Sequence, residues 1–441
     1  MQRYLILFLL FWGAQLLLPA QDILSLEDAV AEALQQNYDV QVQRYNEQRQ
    51  VNESYPGGAG LLPSLSLSGN GQYSISNGTG NQLGRGESFD TTGVENISAG
   101  AQAQLSYTLA LANFRNYKVL QGNANLSEQQ TRQVIERTAS QVISAYYNLA
   151  KLANRLTIQQ QSLARSRERL AQAQNQQAYG SGNRLAVLNA RVSVNSDSVN
   201  LVSTQANFDN ARRDLNLLLG RDINSAYLVE TEVALGEPLD LEQLSQSLRE
   251  ANASLAVAEQ NRHLAELNLD VAQAGRYPTL NLNGSYDYNY QQNPLSFFPE
   301  LQTWGPSVSA SVNFNLFDGF QTSRQIQSAE INVASSRAQY QQAEQTAMRD
   351  LAQTYATYQN NRRVLALNQT NLEAAQLNFA RTKEAFDLGQ VSSVEFREAQ
   401  LNLQQVENQL NDLRYDIKLS EVELLQLSGQ LVSEEQLLLD R

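Results

Sequence analysis

The chain has 441 residues and no cysteine, with 32 Lys and Arg against 45 Asp and Glu and a formal net charge of −13. Disulfides, thiolate nucleophiles and zinc–sulfur sites are thereby excluded, and the acidic balance argues against nucleic acid as a partner, since phosphate binding needs basic surface. The single histidine, His263, removes most zinc-hydrolase and Ser-His-Asp chemistry. The chain does not read as an enzyme, and no cofactor or metal is expected. Asn and Gln make up roughly a fifth of the residues, well above ordinary usage.

Residues 1–20 read as a segment to be removed. Gln2-Arg3 precedes an apolar run from Tyr4 to Leu18, followed by Pro19-Ala20-Gln21. A short positive start, an apolar stretch and a small residue predict a secretory signal peptide cut near Ala20. No Cys follows that site, so no lipidated N-terminus is expected. Removing Arg3 leaves 31 basic against 45 acidic groups, a charge of −14. No later segment approaches the roughly 20 apolar residues of a spanning helix, so the exported chain is expected to be secreted, periplasmic or an outer-membrane barrel.

Two halves follow, residues 21–220 and 221–441. Leu26-Glu27 and Asn37 return 215 residues later as Leu241-Glu242 and Asn252, and Pro63-Ser64-Leu65 returns as Pro278-Thr279-Leu280 at the same offset. Gly180, Ala190 and Gly220 return as Gly389, Ala399 and Gly429, 209 residues later. The change of offset places about six extra residues in the first half, and the Gly-rich stretch from Asn77 to Asn96 is the expected loop that holds them. Each half reads helix, strand, strand, long helix, long helix, a mixed and mainly α chain.

In the first half, strands are expected over about 63–76 and 97–111. Ile97, Ala99, Ala101, Ala103, Leu105, Tyr107 and Leu109 alternate with Ser98, Gly100, Gln102, Gln104, Ser106 and Thr108. Long helices follow over about 113–178 and 184–219. Ile135, Val142, Leu149, Leu156, Leu163 and Leu170 are seven apart, and Val187, Ala190, Val194, Leu201, Phe208, Ala211, Leu215 and Leu218 keep steps of three, four or seven, a coiled-coil seam. In the second half, strands are expected over about 278–291 and 306–317 and helices over about 320–388 and 391–429. Leu351, Tyr358, Leu365, Leu372, Phe379 and Phe386 repeat the heptads. A single helix from Phe320 to Leu388 would be about 100 Å long.

Strands of about ten residues, apolar on one face and small and polar on the other, match a membrane barrel with a wet lumen. Tyr286, Tyr288 and Tyr290 fall on one face and are expected in an aromatic girdle at the membrane interface. Four strands cannot close a barrel around a lumen, and a bilayer tolerates no open sheet edge. Two chains would supply eight strands, three twelve and four sixteen; eight leave an interior filled by side chains, so a passage needs at least three. A secreted or surface-exposed trimeric coiled-coil adhesin, a structural protein, is the competing class.

Several pieces in order carry a family resemblance. They are Leu24-Ser25-Leu26-Glu27-Asp28-Ala29-Val30 with Asn37, Tyr277-Pro278-Thr279-Leu280, Phe314-Asn315-Leu316-Phe317-Asp318-Gly319, and Gly389-Gln390-Val391-Ser392-Ser393-Val394-Glu395-Phe396-Arg397-Glu398-Ala399. Across residues 21–441 the chain resembles the TolC-like outer-membrane efflux channels, with Phe320 where a second Gly is common. The resemblance implies a homotrimer, with four strands per chain in a twelve-stranded outer-membrane β-barrel continuous with a periplasmic α-helical coiled-coil barrel. It also implies a passive exit duct for efflux or type I secretion, partnered by an inner-membrane pump through a periplasmic adaptor.

The resemblance further implies a periplasmic aperture at the helical hairpin tips, with Glu395 and Glu398 at its acidic positions. Their spacing of three puts both on one helix face, where threefold symmetry would gather six carboxylates and raise their pKa by repulsion. The first half has Ala186 and Asn189 at those positions, and Val391 stands where the family often has a basic gating residue. Arg184 and Phe386 are the candidate substitutes.

Overall fold

The computed structural model describes residues 23–81, 88–180 and 182–432, and the expected signal peptide lies outside them. Among the described residues the elements in chain order are β1 (Ile23–Leu24), α1 (Leu26–Gln36), α2 (Tyr38–Glu53), β2 (Ser64–Asn81), β3 (Ser88–Leu109), α3 (Leu111–Ala178) and α4 (Arg184–Leu219), then β4 (Leu228–Val229), α5 (Leu241–Ala251), α6 (Ala253–Ala274), β5 (Thr279–Gln292), β6 (Glu300–Asn313), α7 (Gln321–Asp387) and α8 (Ser393–Leu427).

Two compact units result. One combines Met1–Tyr45, Gln130–Ala256 and Gln342–Arg441, the other Asn46–Gln129 and Val257–Gln341. Compactness thus cuts across the two halves, since each unit takes segments from both.

The expected single helix opening each half is two helices. Asn37 leaves the helical region at ψ 131 and Asn252 at ψ 120. Each then starts the next helix with its own side chain: Asn37 Oδ1 accepts from the amides of Asp39 and Val40, and Asn252 Oδ1 accepts from Leu255. An Asn cap satisfies amides that a continuous helix would pair, so the break costs little. Each side-chain amide also reaches across the unit, Asn37 Nδ2 donating to Leu218 O at 2.9 Å and Asn252 Nδ2 to Leu427 O at 2.8 Å. Those carbonyls lie in the last turns of α4 and α8, which end in Gly220 at φ 72 and Gly429 at φ 70. A Cβ at Gly220 would lie 2.6 Å from Gln36 O, and one at Gly429 2.3 Å from Ala251 O.

Other contacts recur at the same two offsets. Tyr146 donates to Leu24 O and Tyr355 to Leu239 O, while Arg221 pairs with Glu32 where Gln430 donates to Ser247. Around them the heptad residues bury as their spacing requires. Val142, Leu149, Ala211, Leu215 and Leu219 share a core with Leu24, Ala29, Ala33, Tyr415 and Val422. Leu351, Tyr358, Leu365, Leu410, Ile417 and Leu424 share another with Leu244, Leu248 and Leu255.

Against α8, α3 packs through polar groups. Gln400 is fully buried and donates to Ser162 O and Ser166 Oγ, and Gln404 donates to Gln159 Oε1 at 2.8 Å. Further along, Arg165 meets Glu407, Arg155 meets Asp412 and Lys151 meets Asp416. Part of the Asn and Gln excess thus serves buried polar packing, where each amide must find a partner.

The other unit holds a four-stranded antiparallel sheet in the order β2-β3-β5-β6. Its register aligns one face throughout: Leu65 opposes Leu105, Leu105 opposes Gly284, and Gly284 opposes Val308. Ala101 likewise opposes Tyr288, which opposes Trp304. The other face carries Ser, Asn, Gln and Thr, with Asp287 its ionisable residue in the paired core of the sheet.

Two expectations on the strands are corrected. The strand expected from 97 begins at Ser88, and β2 runs on to Asn81, so the described part of the Gly-rich stretch is paired ribbon rather than loop. Backbone ladders need no side chains, so glycine-rich residues pair when a neighbouring strand holds them; the register shift between Ser76 and Gly78 absorbs the irregularity, and Asn77 Oδ1 accepts from Gly93 N where Gly93 takes φ 72. The strand expected over 306–317 is Glu300–Asn313. After it Gly319 takes φ 66 and Phe320 φ 69, a left-handed pair that no strand can contain.

Replacing Gly429 by Ala should destabilise the protein well beyond Gly389→Ala. Both positions cost about 1–2 kcal/mol for a left-handed alanine, but a Cβ at Gly389 meets nothing within 4 Å. Thermal unfolding of the two variants, followed by circular dichroism, should rank them in that order.

Candidate functional site

Two regions bear on function, and each lies within one compact unit. The first is the apolar face of the sheet. Tyr286, Tyr288 and Tyr290 occupy alternate positions of β5 on that face, opposite Pro306, Trp304 and Gln302 of β6. Tyr286, Tyr288 and Trp304 are exposed in the single chain, as are Leu65, Leu67, Val308 and Val312. Glu95, opposite Ile75, and Glu300, opposite Gln292, stand one position past Tyr73 and Tyr290 on that face. β2 and β6 are the margins of the sheet, each paired on one side only.

The second region is the turn end of the helical hairpins. Gly180 and Gly389 end α3 and α7 in left-handed conformations at φ 75 and 72, and Asn183 and Ser392 cap the helices that return. Ser392 forms a full capping box with Glu395: its hydroxyl accepts from Glu395 N, and Glu395 Oε2 accepts from Ser392 N at 2.7 Å. The backbone amide of Ser392, and then its side chain, hold the Glu395 carboxyl below the ordinary glutamate range, opposite to the direction that repulsion alone suggests.

Glu398, one turn on, is exposed and lines a cavity between α4 and α8. Arg184 is exposed on the first turn of α4. Phe386 is 7% exposed, with its ring centroid 4.9 Å from that of Phe396, so within the chain it packs in the α7–α8 seam. The heptad that places Phe386 in the seam is the same one that continues from Phe379.

A buried ion pair on the hairpins involves residues that the pattern of glutamates does not point to. Asp197 of α4, with 0% exposure, accepts from both terminal nitrogens of Arg397 of α8, at 2.8 and 2.9 Å, and from Ser166 Oγ of α3. Burial by itself would raise this carboxyl. The hydrogen bonds from Arg397 and Ser166 and the charges of Arg397 and Arg169 outweigh it and hold Asp197 below the ordinary aspartate range. A signal was present in the sequence: Asp197 falls in the seam slot between Val194 and Leu201, where a charge has to find a buried partner.

Because the folded carboxyl titrates below its unfolded value, its stabilisation is complete above about pH 4 and fades as pH falls through the folded pKa. Asp197→Asn should cost about 3 kcal/mol at neutral pH by leaving Arg397 unpaired. The gap between variant and parent should close on acidification. Unfolding midpoints measured from pH 7 to pH 3 would read both effects, and a gap independent of pH would contradict them.

The comparisons with known proteins concur with this architecture. The outer membrane efflux protein family matches residues 29–221 and 244–430. The chain is 23% identical over 410 residues to the cation efflux system protein CusC of Escherichia coli O6:H1, covering 91% of this chain and 85% of that one. It is 24% identical to the probable outer membrane lipoprotein SilC of Salmonella typhimurium, a match spanning 69% of this chain and 66% of that protein. The crystal structure of the Campylobacter jejuni CmeC outer membrane channel superposes with a TM-score of 0.78 at 16% identity, over 93% of this chain and 86% of that one. The chain belongs to the outer membrane efflux protein family, as a channel of the outer membrane and not an enzyme.

Proposed function

We propose that three copies of the chain form a passive exit duct. Each copy lends four strands to a twelve-stranded barrel in the outer membrane and its long helices to a tunnel in the periplasm. An inner-membrane pump supplies the energy, and a periplasmic adaptor joins the two. The observation that carries this reading is the sheet: one face is apolar across all four strands, the other is polar and almost uncharged, and the outer margins of β2 and β6 have no strand partner among the described residues. In hydrocarbon each unpaired amide or carbonyl costs several kcal/mol, so the margins have to meet those of sister chains.

The dimensions agree. On β5 the apolar face runs from Leu280 to Tyr290, about 34 Å along a strand. Tilted by about 40°, that run spans the apolar band of about 25 Å found in such barrels. Tyr286, Tyr288, Tyr290 and Trp304 then take the place of an aromatic girdle. A trimeric coiled-coil adhesin, the competing class, gives no account of a sheet with this register.

In a chain lacking residues 1–20, Trp304 is the only tryptophan. Its fluorescence in liposomes should be blue-shifted and quenched by brominated lipid, and the detergent-solubilised protein should have the mass of three chains. A detergent-free monomer with unquenched Trp304 would overturn the proposal.

The carboxylates of Glu395 and Glu398 are proposed to ring the periplasmic mouth and favour cations. Glu395→Gln/Glu398→Gln retains acceptors for the cap. Single-channel recordings at low salt should show a cation preference reduced severalfold in this variant, and an unchanged preference would remove both residues from the mouth.

A further inference from the structure

The two faces of the sheet exchange character at the end away from the helices, which adjoin β5 and β6 at the other end. Up to that end the wet face of the paired core carries Ser, Thr, Asn, Gln, Gly and Asp287. At the end itself Val94 of β3, opposite Ser76, and Leu301 of β6, opposite Gln291, stand on the wet face. Beside each is a glutamate on the lipid face, Glu95 next to Val94 and Glu300 next to Leu301. The inversion therefore occurs in both hairpins.

The loop 293–299 joins β5 to β6 at this end and contains no charged residue. Pro299 O accepts from Asn293 N at 2.8 Å; the carbonyl of Asn293 accepts from Ser296 N, and its Oδ1 from Leu295 N. So braced, the loop holds Leu295, Phe297 and Phe298 out from the sheet. Phe297 is 92% exposed, and its ring meets that of Phe298 edge-on at 5.0 Å. Burying such a ring gains about 2 kcal/mol or more, which favours an apolar seat for the pair. Lipid does not supply that seat, because the lipid face has turned acidic at this level, with Glu95 and Glu300. The apolar residues beside the loop, Val94 and Leu301, are on the wet side.

The wet side is the lumen in the duct of three copies, a reading on which this inference rests. Twelve strands about 4.8 Å apart and tilted by about 40° close at a radius of about 12 Å. A loop with about three residues on either side of its tip extends about 10 Å beyond the ladder, so phenylalanines from three copies reach the axis. We propose that Phe297 and Phe298 of the three copies meet there, above a collar of Val94 and Leu301, and form an apolar constriction at the outer mouth. Such a constriction dewets and holds back hydrated solutes from outside.

The chain has no cysteine, so an introduced thiol is unique. Asp287→Cys places one on the lumen wall beneath the constriction. In intact cells, a polyethylene glycol maleimide too bulky to cross the outer membrane elsewhere should label it slowly. Adding Phe297→Ser/Phe298→Ser should speed labelling at least tenfold, and adding Phe297→Leu/Phe298→Leu should not. Phe297→Cys, oxidised in the detergent-solubilised protein, should link two chains, whereas Gln302→Cys on the lipid face should not. Equal labelling with and without the serines, in proteins with the mass of three chains, would overturn the constriction and leave the duct intact. A parent without that mass would overturn both. If the serine variant does not assemble, an assembled Phe297→Cys protein that forms no link overturns the constriction alone.

Discussion

A strand satisfies its amides and carbonyls from both sides only when it has a neighbour on each, and β2 and β6 have one neighbour apiece. In water that is an aggregation hazard; in lipid it is untenable. The character of the sheet follows from this constraint. A face that meets hydrocarbon has to be apolar across every strand, which fixes the register from Leu65 through Leu105 and Gly284 to Val308. A one-residue slip in any pair would turn serines and asparagines outward. Among the described sheet residues, charge falls on Asp287 on the wet face of the paired core, on Glu95 and Glu300 at the end of the band, and on Asp90 in the ribbon beyond it.

The helical unit answers a different demand, the anchoring of long helices that have little apolar surface to bury. Its joints are small and specific. An asparagine breaks the opening helix and donates to the last turn of the closing one, and a left-handed glycine brings that turn against the break. The device occurs twice, at Asn37 with Gly220 and at Asn252 with Gly429. Between the hairpins, Gln400, Gln404 and a ladder of ion pairs take the place of a leucine seam. Such packing contributes less net stability than apolar burial but specifies register, because an unpaired buried amide is expensive.

Much of this was legible because the governing patterns are periodic. Heptads identify the helices whose seams bury Leu149 and Ile417, and strict alternation identifies β5 and most of β3. Where side chains carried no period the reading failed. The stretch around Gly78 and Gly93 looks like a loop, yet it is ribbon, since ladder bonds are made by the backbone and depend on a neighbouring strand. The break at Asn37 is a local event in a helical pattern, visible only through its cap. Glu395 matched a pattern of acidic positions, but its carboxylate is engaged by the cap of its own helix.

By itself, the sequence determined the order of elements, the two-faced strands, the recurrence of motifs at two offsets and the absence of thiol and most histidine chemistry. These rest on spacing and composition, which survive without a fold. Only the tertiary structure decided that Asp197 would meet Arg397 across 200 residues, that Arg169 would be buried against Ser193 and Ser393, and that Phe386 would be buried in a seam. Those outcomes depend on which helix faces lie together, and side chains far apart in the chain acquire partners only when packing brings their helices into contact.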